Sequence, residues 1–206
     1  SNIDIFNPST GEIIGKVVNS NNDDLLEVIE CAKKAQFTWS NFTPLKRSRI
    51  ISKYKNLIEE NIEDLAKLVS IEHGKTLDDA IGSVTRGLEV VEFACGIPHL
   101  LKGEFSLNVG TNIDSYSFRQ PLGITAGITP FNFPAMVPMW MYPISIACGN
   151  SFILKPSEKD PSCSIKLAEL FSKAGLPDGV FNVIHGNKNI VDLILENKDI
   201  SSISFV

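Results

Sequence analysis

Between Asp23 and Leu101 apolar residues recur every third or fourth position, with polar residues filling the intervals. That period predicts helices with one buried stripe. Asp23-Asp24 opens the first, where acidic side chains meet the positive end of the backbone dipole. Its inward stripe is Leu25, Val28, Ile29, Ala32, Ala35 and Phe37, with Trp39 near its end. Pro44 suits the first turn of a second helix, where a missing N–H is harmless; Ile50, Ile51, Tyr54, Leu57 and Ile58 form its apolar side. Asn61 is the expected cap of a third helix, with Leu65, Leu68, Val69 and Ile71 inward and Gly74 at its end. Thr76 caps a fourth, from Leu77 to about Leu101, with Ile81, Val84, Leu88, Val91 and Phe93 inward and Arg86 within it. Two stretches change period. Asn7-Pro8-Ser9-Thr10-Gly11 is a turn cluster between short apolar segments, as in a hairpin. From Glu104 to Arg119, apolar and polar residues alternate across Gly110-Thr111-Asn112, which predicts a second hairpin with one wet face.

Gln120 to Leu154 carries no charged residue. A membrane span needs ~20 consecutive apolar residues. Pro121, Pro130, Pro134, Pro138 and Pro143 would each break or bound a spanning helix, and Thr125, Thr129, Asn132 and Asn150 add polar groups that lipid cannot satisfy. The run therefore reads as buried pieces: a strand from Leu122 to Ile128, a helix from Pro134 to Cys148 and a strand from Ser151 to Leu154. A helix (Ser162 to Lys173), a strand (Val180 to Ile184), a helix (Asn189 to Glu196) and a strand (Ser201 to Val206) follow. Alternating strands and helices predict a Rossmann-like α/β fold, a parallel sheet with right-handed crossovers. The expected organisation is a helical part (1–103), a hairpin arm (104–120) and a nucleotide-binding core (121–206). Because Ile203-Ser204-Phe205-Val206 breaks off inside an apolar strand, the chain is expected to be part of a longer protein.

Composition changes little in this picture. The chain has 206 residues, is 43% hydrophobic and 21% charged, and carries a formal charge of −5. With its basic residues scattered, it offers poor electrostatics for nucleic acid or an anionic membrane. The amino terminus lacks a basic region followed by an apolar run, so no signal peptide is expected. The four cysteines, Cys31, Cys95, Cys148 and Cys163, form no CxxC pair. They are expected to be buried reduced thiols of a cytoplasmic protein. The three histidines, His73, His99 and His185, share no ligand spacing, and no metal site is expected.

Candidate chemistry gathers where strands end, since open α/β sheets bind ligands beyond their carboxyl edge. Asn132, in the loop Thr129-Pro130-Phe131-Asn132-Phe133-Pro134, presents a neutral amide donor that could face an oxygen becoming negative. Its plainer role would be to satisfy its own loop backbone. In Lys155-Pro156-Ser157-Glu158 a carboxylate can accept the vicinal hydroxyls of a ribose and a lysine can donate to sugar or phosphate oxygens. The plainer role there is a solvated helix entry. Arg86 could pair bidentately with a substrate carboxylate or simply be an exposed helical arginine. His185-Gly186-Asn187 follows a strand but is not GxGxxG.

Taken together these residues resemble the aldehyde dehydrogenase superfamily, in its amino-terminal, coenzyme-binding half. Ile128-Thr129-Pro130-Phe131-Asn132-Phe133-Pro134 is similar to the segment bearing that family's catalytic asparagine. Gly149-Asn150-Ser151-Phe152-Ile153-Leu154-Lys155-Pro156-Ser157-Glu158 is similar to its adenosine-ribose segment, and Gly175-Leu176-Pro177-Asp178-Gly179-Val180-Phe181-Asn182-Val183 is a third marker. The wording of Phe131 to Met141 and of Arg86 to Ala94 is similar to the CoA-acylating branch that acts on methylmalonate and malonate semialdehydes. The resemblance implies Asn132 as the catalytic asparagine and Arg86 as a ligand of the substrate carboxylate. It implies NAD contacts from Thr129, Pro130, Phe131, Lys155, Glu158, Lys159 and Gly186, with coenzyme A as co-substrate. It further implies a homo-oligomer, dimer or tetramer, in the cytoplasm, or in the mitochondrial matrix of a eukaryote. Phe131 stands where most relatives have tryptophan. Lys159 stands where they usually have arginine; it keeps the charge but not the flat group that could stack on adenine. The family's nucleophilic cysteine and general-base glutamate lie in its carboxyl-terminal half, and none of the cysteines here matches the nucleophile's motif. By itself the chain is expected not to catalyse the reaction.

Overall fold

A computed structural model describes every residue from Ser1 to Val206. Strands β1 (Asn2–Phe6) and β2 (Ile13–Val18) form an antiparallel hairpin around the expected turn. Four helices follow: α1 (Asn22–Ser40), α2 (Pro44–Glu60), α3 (Ile62–His73) and α4 (Leu77–Cys95), then the short α5 (Ile97–Leu100). Asn21 and Asp24 form a reciprocal capping box at the head of α1, and Thr43 and Thr76 cap α2 and α4. The second hairpin pairs β3 (Phe105–Gly110) with β4 (Ile113–Tyr116). The remainder alternates: β5 (Ile124–Ile128), α6 (Met136–Ala147), β6 (Ser151–Lys155), α7 (Ser162–Lys173), β7 (Phe181–Val183), α8 (Lys188–Glu196) and β8 (Ile200–Phe205).

The last four strands form one parallel sheet in the order β7-β6-β5-β8. The sheet is covered on both faces, so β5 and β6 are buried at every position. Ile124, Ala126, Ile128 and Ile153 point to one side, where they meet Leu25, Ile29 and Ala32 of α1 and Ile190 and Ile194 of α8. Phe152 and Leu154 point to the other, into a larger core shared by α2, α3, α4, α6 and α7. Gly127 lets that second face close: a Cβ there would lie 2.7 Å from the Phe152 ring. No helix is long and apolar enough to cross a membrane.

Several expectations need correction. Phe37 is 75% exposed, and Ile71 and Phe93 are also exposed; each lies beside the true stripe, which runs through Leu25, Ile29, Ala32 and Trp39 in α1. Asn61 occupies the cap position of α3 but makes no side-chain cap; its amide donates back to the Leu57 carbonyl at 2.7 Å. The fourth helix stops at Cys95 rather than near Leu101, because Pro98 cannot continue it. The strand expected from Leu122 begins at Ile124, since Asn150 Oδ1 takes the N–H groups of Leu122 and Gly123 (2.6 and 3.1 Å). The hairpin arm is exposed on both faces, not one. Of the cysteines only Cys163 is buried; Cys31 is exposed and Cys95 and Cys148 are half-buried, all with free thiols.

Candidate active site

The parallel register sets the geometry. Ile128 lies level with Lys155 across β5 and β6, so both strands leave the sheet side by side at its carboxyl edge. The Thr129 N–H donates to the Lys155 carbonyl at 3.1 Å, one last rung beyond β5. The chain then swings out through Phe131 and Asn132, both exposed, and returns at Phe133, whose carbonyl accepts from the Val137 N–H at the start of α6.

Asn132 lines a cavity of about 690 Å³ with Phe133, His73, Lys75, Ser83 and Arg86. The structure thus brings Asn132 and Arg86, far apart in sequence, to one space. Gly87, next to Arg86, permits this. A Cβ there would come within 2.4 Å of Met139 and 3.2 Å of the Met136 backbone, so α4 and α6 approach as closely as they do only with glycine at the crossing.

Lys155 is the last residue of β6 rather than the first beyond it, and is only 5% exposed. Its Nζ donates to Glu158 Oε2 at 2.9 Å. Burial pushes the Glu158 carboxyl up, but the bond from Lys155 and the charges of Lys155 and Lys159 outweigh it, and the pKa falls below the usual carboxylate value. Glu158 is therefore ionised, and Oε1 makes no protein hydrogen bond. Glu158 and Lys159 line a second cavity of about 370 Å³, closed by Ile3, Phe6 and Glu72. Lys159 Nζ lies 4.5 Å from the centre of the Phe131 ring, so this lysine serves the Asn132 loop. One strand further over, His185 and Gly186 leave β7 at the same edge. Burial, with Lys155 nearby, holds His185 neutral, its pKa lowered to about 4. Gly186 lies against α8, where a Cβ would meet Ile190 at 2.7 Å; it does not line the Asn132 cavity.

Beneath the site lie acidic groups that no sequence motif marked. The Glu72 carboxylate accepts from the Ser162 N–H at 3.0 Å and from its hydroxyl, acting as a cap supplied to α7 by another helix. Asp160 is 1% exposed, and neither of its oxygens has a hydrogen-bond partner. Burial first, then the charge of Glu72, pushes it up to about 7. A carboxyl whose native pKa exceeds its unfolded value contributes stability at low pH and loses it as pH rises towards the native value. Asp160→Asn should therefore gain melting temperature relative to the native chain between about pH 4 and about pH 7, and no further above that. An unchanged difference across that window would show that Asp160 is ionised throughout.

The aldehyde dehydrogenase family model matches residues 1–206. The chain belongs to that family. Among curated aldehyde dehydrogenases, it is 56% identical over 203 residues to a malonate-semialdehyde dehydrogenase of Pseudomonas aeruginosa. It is 49% identical over 204 residues to the acylating, mitochondrial methylmalonate-semialdehyde dehydrogenase of Arabidopsis thaliana. These alignments cover 98% and 99% of this chain but only 41% and 34% of the relatives, so the chain spans well under half of either. Among solved structures, a Sinorhizobium meliloti 1021 protein assigned as a methylmalonate-semialdehyde dehydrogenase and complexed with NAD superposes with a TM-score of 0.97 at 54% identity. It is matched over 100% of this chain and 42% of its own. The methylmalonate-semialdehyde dehydrogenase of Oceanimonas doudoroffii superposes with a TM-score of 0.96 at 48% identity, over 98% of this chain and 42% of its own.

Proposed function

We propose that the chain is the coenzyme-binding part of an NAD-dependent, CoA-acylating dehydrogenase of malonate or methylmalonate semialdehyde. The observation that carries this reading is the shared cavity: an amide donor, Asn132, and a guanidinium, Arg86, face one space at the carboxyl edge of the sheet. A semialdehyde has both groups such a pair would engage, a carbonyl that gains negative charge and a fixed carboxylate. The residues beside it fit NAD. Glu158 is ionised with one oxygen free for ribose hydroxyls, and Lys155, buried at its side, holds the carboxylate in place. The same carboxylate would repel a 2′-phosphate, which favours NAD over its phosphorylated form. Bound there, NAD would supply the hydride acceptor. The Asn132 amide would donate to the carbonyl oxygen as a nucleophile from the carboxyl-terminal half attacks. Arg86 would hold the carboxylate until it leaves as carbon dioxide, the acyl group passing to coenzyme A as propionyl-CoA or acetyl-CoA. The hairpin arm, with Phe105, Leu107, Val109, Ile113, Tyr116 and Phe118 exposed, would pack on another copy in a dimer or tetramer.

Two assays on the whole enzyme, this chain joined to the carboxyl-terminal half that its relatives have, test the reading. Arg86→Leu should raise KM for malonate semialdehyde about tenfold or more, the worth of one charge-assisted pair, while changing KM for propanal little; equal rises for both would remove Arg86 from the carboxylate. Product formation should require coenzyme A. A free acid formed at full rate without it would make the enzyme a hydrolytic aldehyde dehydrogenase instead.

A further inference from the structure

The chemistry proposed above depends on where the Asn132 amide points, yet Asn132 sits on an exposed loop. One side chain from outside secures that loop. Lys75 Nζ donates to the Asn132 main-chain carbonyl at 3.0 Å, across 57 positions of sequence. The same ammonium lies 4.4 Å from the centre of the Phe133 ring. A cation held between a carbonyl and an aromatic face makes both contacts stronger than their neutral equivalents. No other side chain hydrogen-bonds to the backbone from Pro130 to Pro134; Phe131 is met only by the Lys159 ammonium.

Lys75 is itself braced. Gly74, in the left-handed conformation (φ 86°), ends α3 immediately before it, and Thr76 caps α4 immediately after it. Its own carbonyl accepts from Ser70 Oγ at 2.8 Å. Burial lowers the ammonium's pKa, and the charges of Asp79 and Asp160 offset only part of that. The turn between α3 and α4 thus presents a cation from two capped helices to a loop with little hold of its own. We infer that Lys75 is a positioning residue for Asn132. Its ammonium fixes the peptide between Asn132 and Phe133, and so fixes the direction in which the side-chain amide enters the cavity shared with Arg86. Lys75 lines the same cavity, but its ammonium is engaged by the Asn132 carbonyl and the Phe133 ring, so it acts through Asn132. The inference rests on the proposed role of Asn132.

The test uses the whole enzyme and the single-turnover rate of NADH formation. Lys75→Met keeps the aliphatic stem and removes the charge. It should slow that step about tenfold to a hundredfold, the scale of a displacement near 1 Å at a reacting centre, with KM for aldehyde and affinity for NAD within about twofold. Lys75→Arg, which can reach the same carbonyl with its charge intact, should recover most of the rate and controls for loss of fold. In an Asn132→Ala background Lys75→Met should slow the step no further, because the group it positions is gone. A rate within about twofold of the parent for Lys75→Met, or equal losses in both backgrounds, would overturn the positioning role alone. An Asn132→Ala enzyme of undiminished rate would overturn the reading of Asn132 and this inference with it.

Discussion

Asn132→Ala in the whole enzyme should lower kcat about a hundredfold to a thousandfold, the loss found on removing one preorganised donor from an oxyanion site. The expectation follows from placement. Asn132 leaves the end of β5, a strand buried on both faces and locked between β6 and β8, and its carbonyl is tied to Lys75. The backbone that carries the amide is therefore anchored before substrate arrives, and a donor that need not reorganise contributes most as charge develops. Because it is uncharged, it does so at any pH at which the fold survives. Affinity for NAD should be nearly unchanged, since Lys155 ends the next strand and Glu158 lies in the turn just beyond it. Single-turnover NADH formation separates the chemical step from product release. A loss of less than about tenfold would show that Asn132 serves only its loop.

Arg47→Met should lower the unfolding free energy by about 3 kcal/mol. Arg47 is 4% exposed on α2. Its Nε donates to the Ala147 carbonyl at 2.8 Å, and Nη1 to the carbonyls of Ser40 (3.4 Å) and Phe42. Ala147 is the last residue of α6, where carbonyls lack helical partners and the dipole is negative, so a buried cation suits the position. Trp39 Nε1 takes the neighbouring Ile146 carbonyl at 2.8 Å. Methionine would fill much of the space but leave three carbonyls without this donor. Urea unfolding measures the change. Arg86→Leu, exposed and without a hydrogen-bond partner, is the matched control and should move stability by no more than about 0.5 kcal/mol. If both arginines behave alike, α6 is not anchored through Arg47.

These two arginines show where reading the chain succeeds and where it stops. Arg86 stood out through the residues around it, whereas Arg47 carries no local mark. Its partners lie at the end of α1, in the turn before α2 and, 100 positions later, at the end of α6. Lys159, likewise, is expected at the coenzyme from its place in a motif, and its contact with Phe131 is a further one that no motif marks. The misplaced inward residues, Phe37, Ile71 and Phe93, were apolar at nearly the right spacing, and a stripe on a helix is wide enough to admit such neighbours.

What the sequence determined by itself is the order and type of the elements. It also determined that the charge-free run from Gln120 to Leu154 is strand, helix and strand rather than a membrane span, and that Asn132 and Glu158 follow strand ends. These rest on short-range causes: helical period, proline geometry, caps and turns, each acting within a few residues. Only the tertiary structure decided that Asn132 shares its cavity with Arg86 and leans on Lys75, that Glu72 caps α7, and that Arg47 closes α6. Those pairings arise when separate helices bury their apolar faces against one sheet. Burial is non-directional: it brings the elements together, and which polar groups then meet depends on how closely the backbones approach, as at Gly87 against Met139.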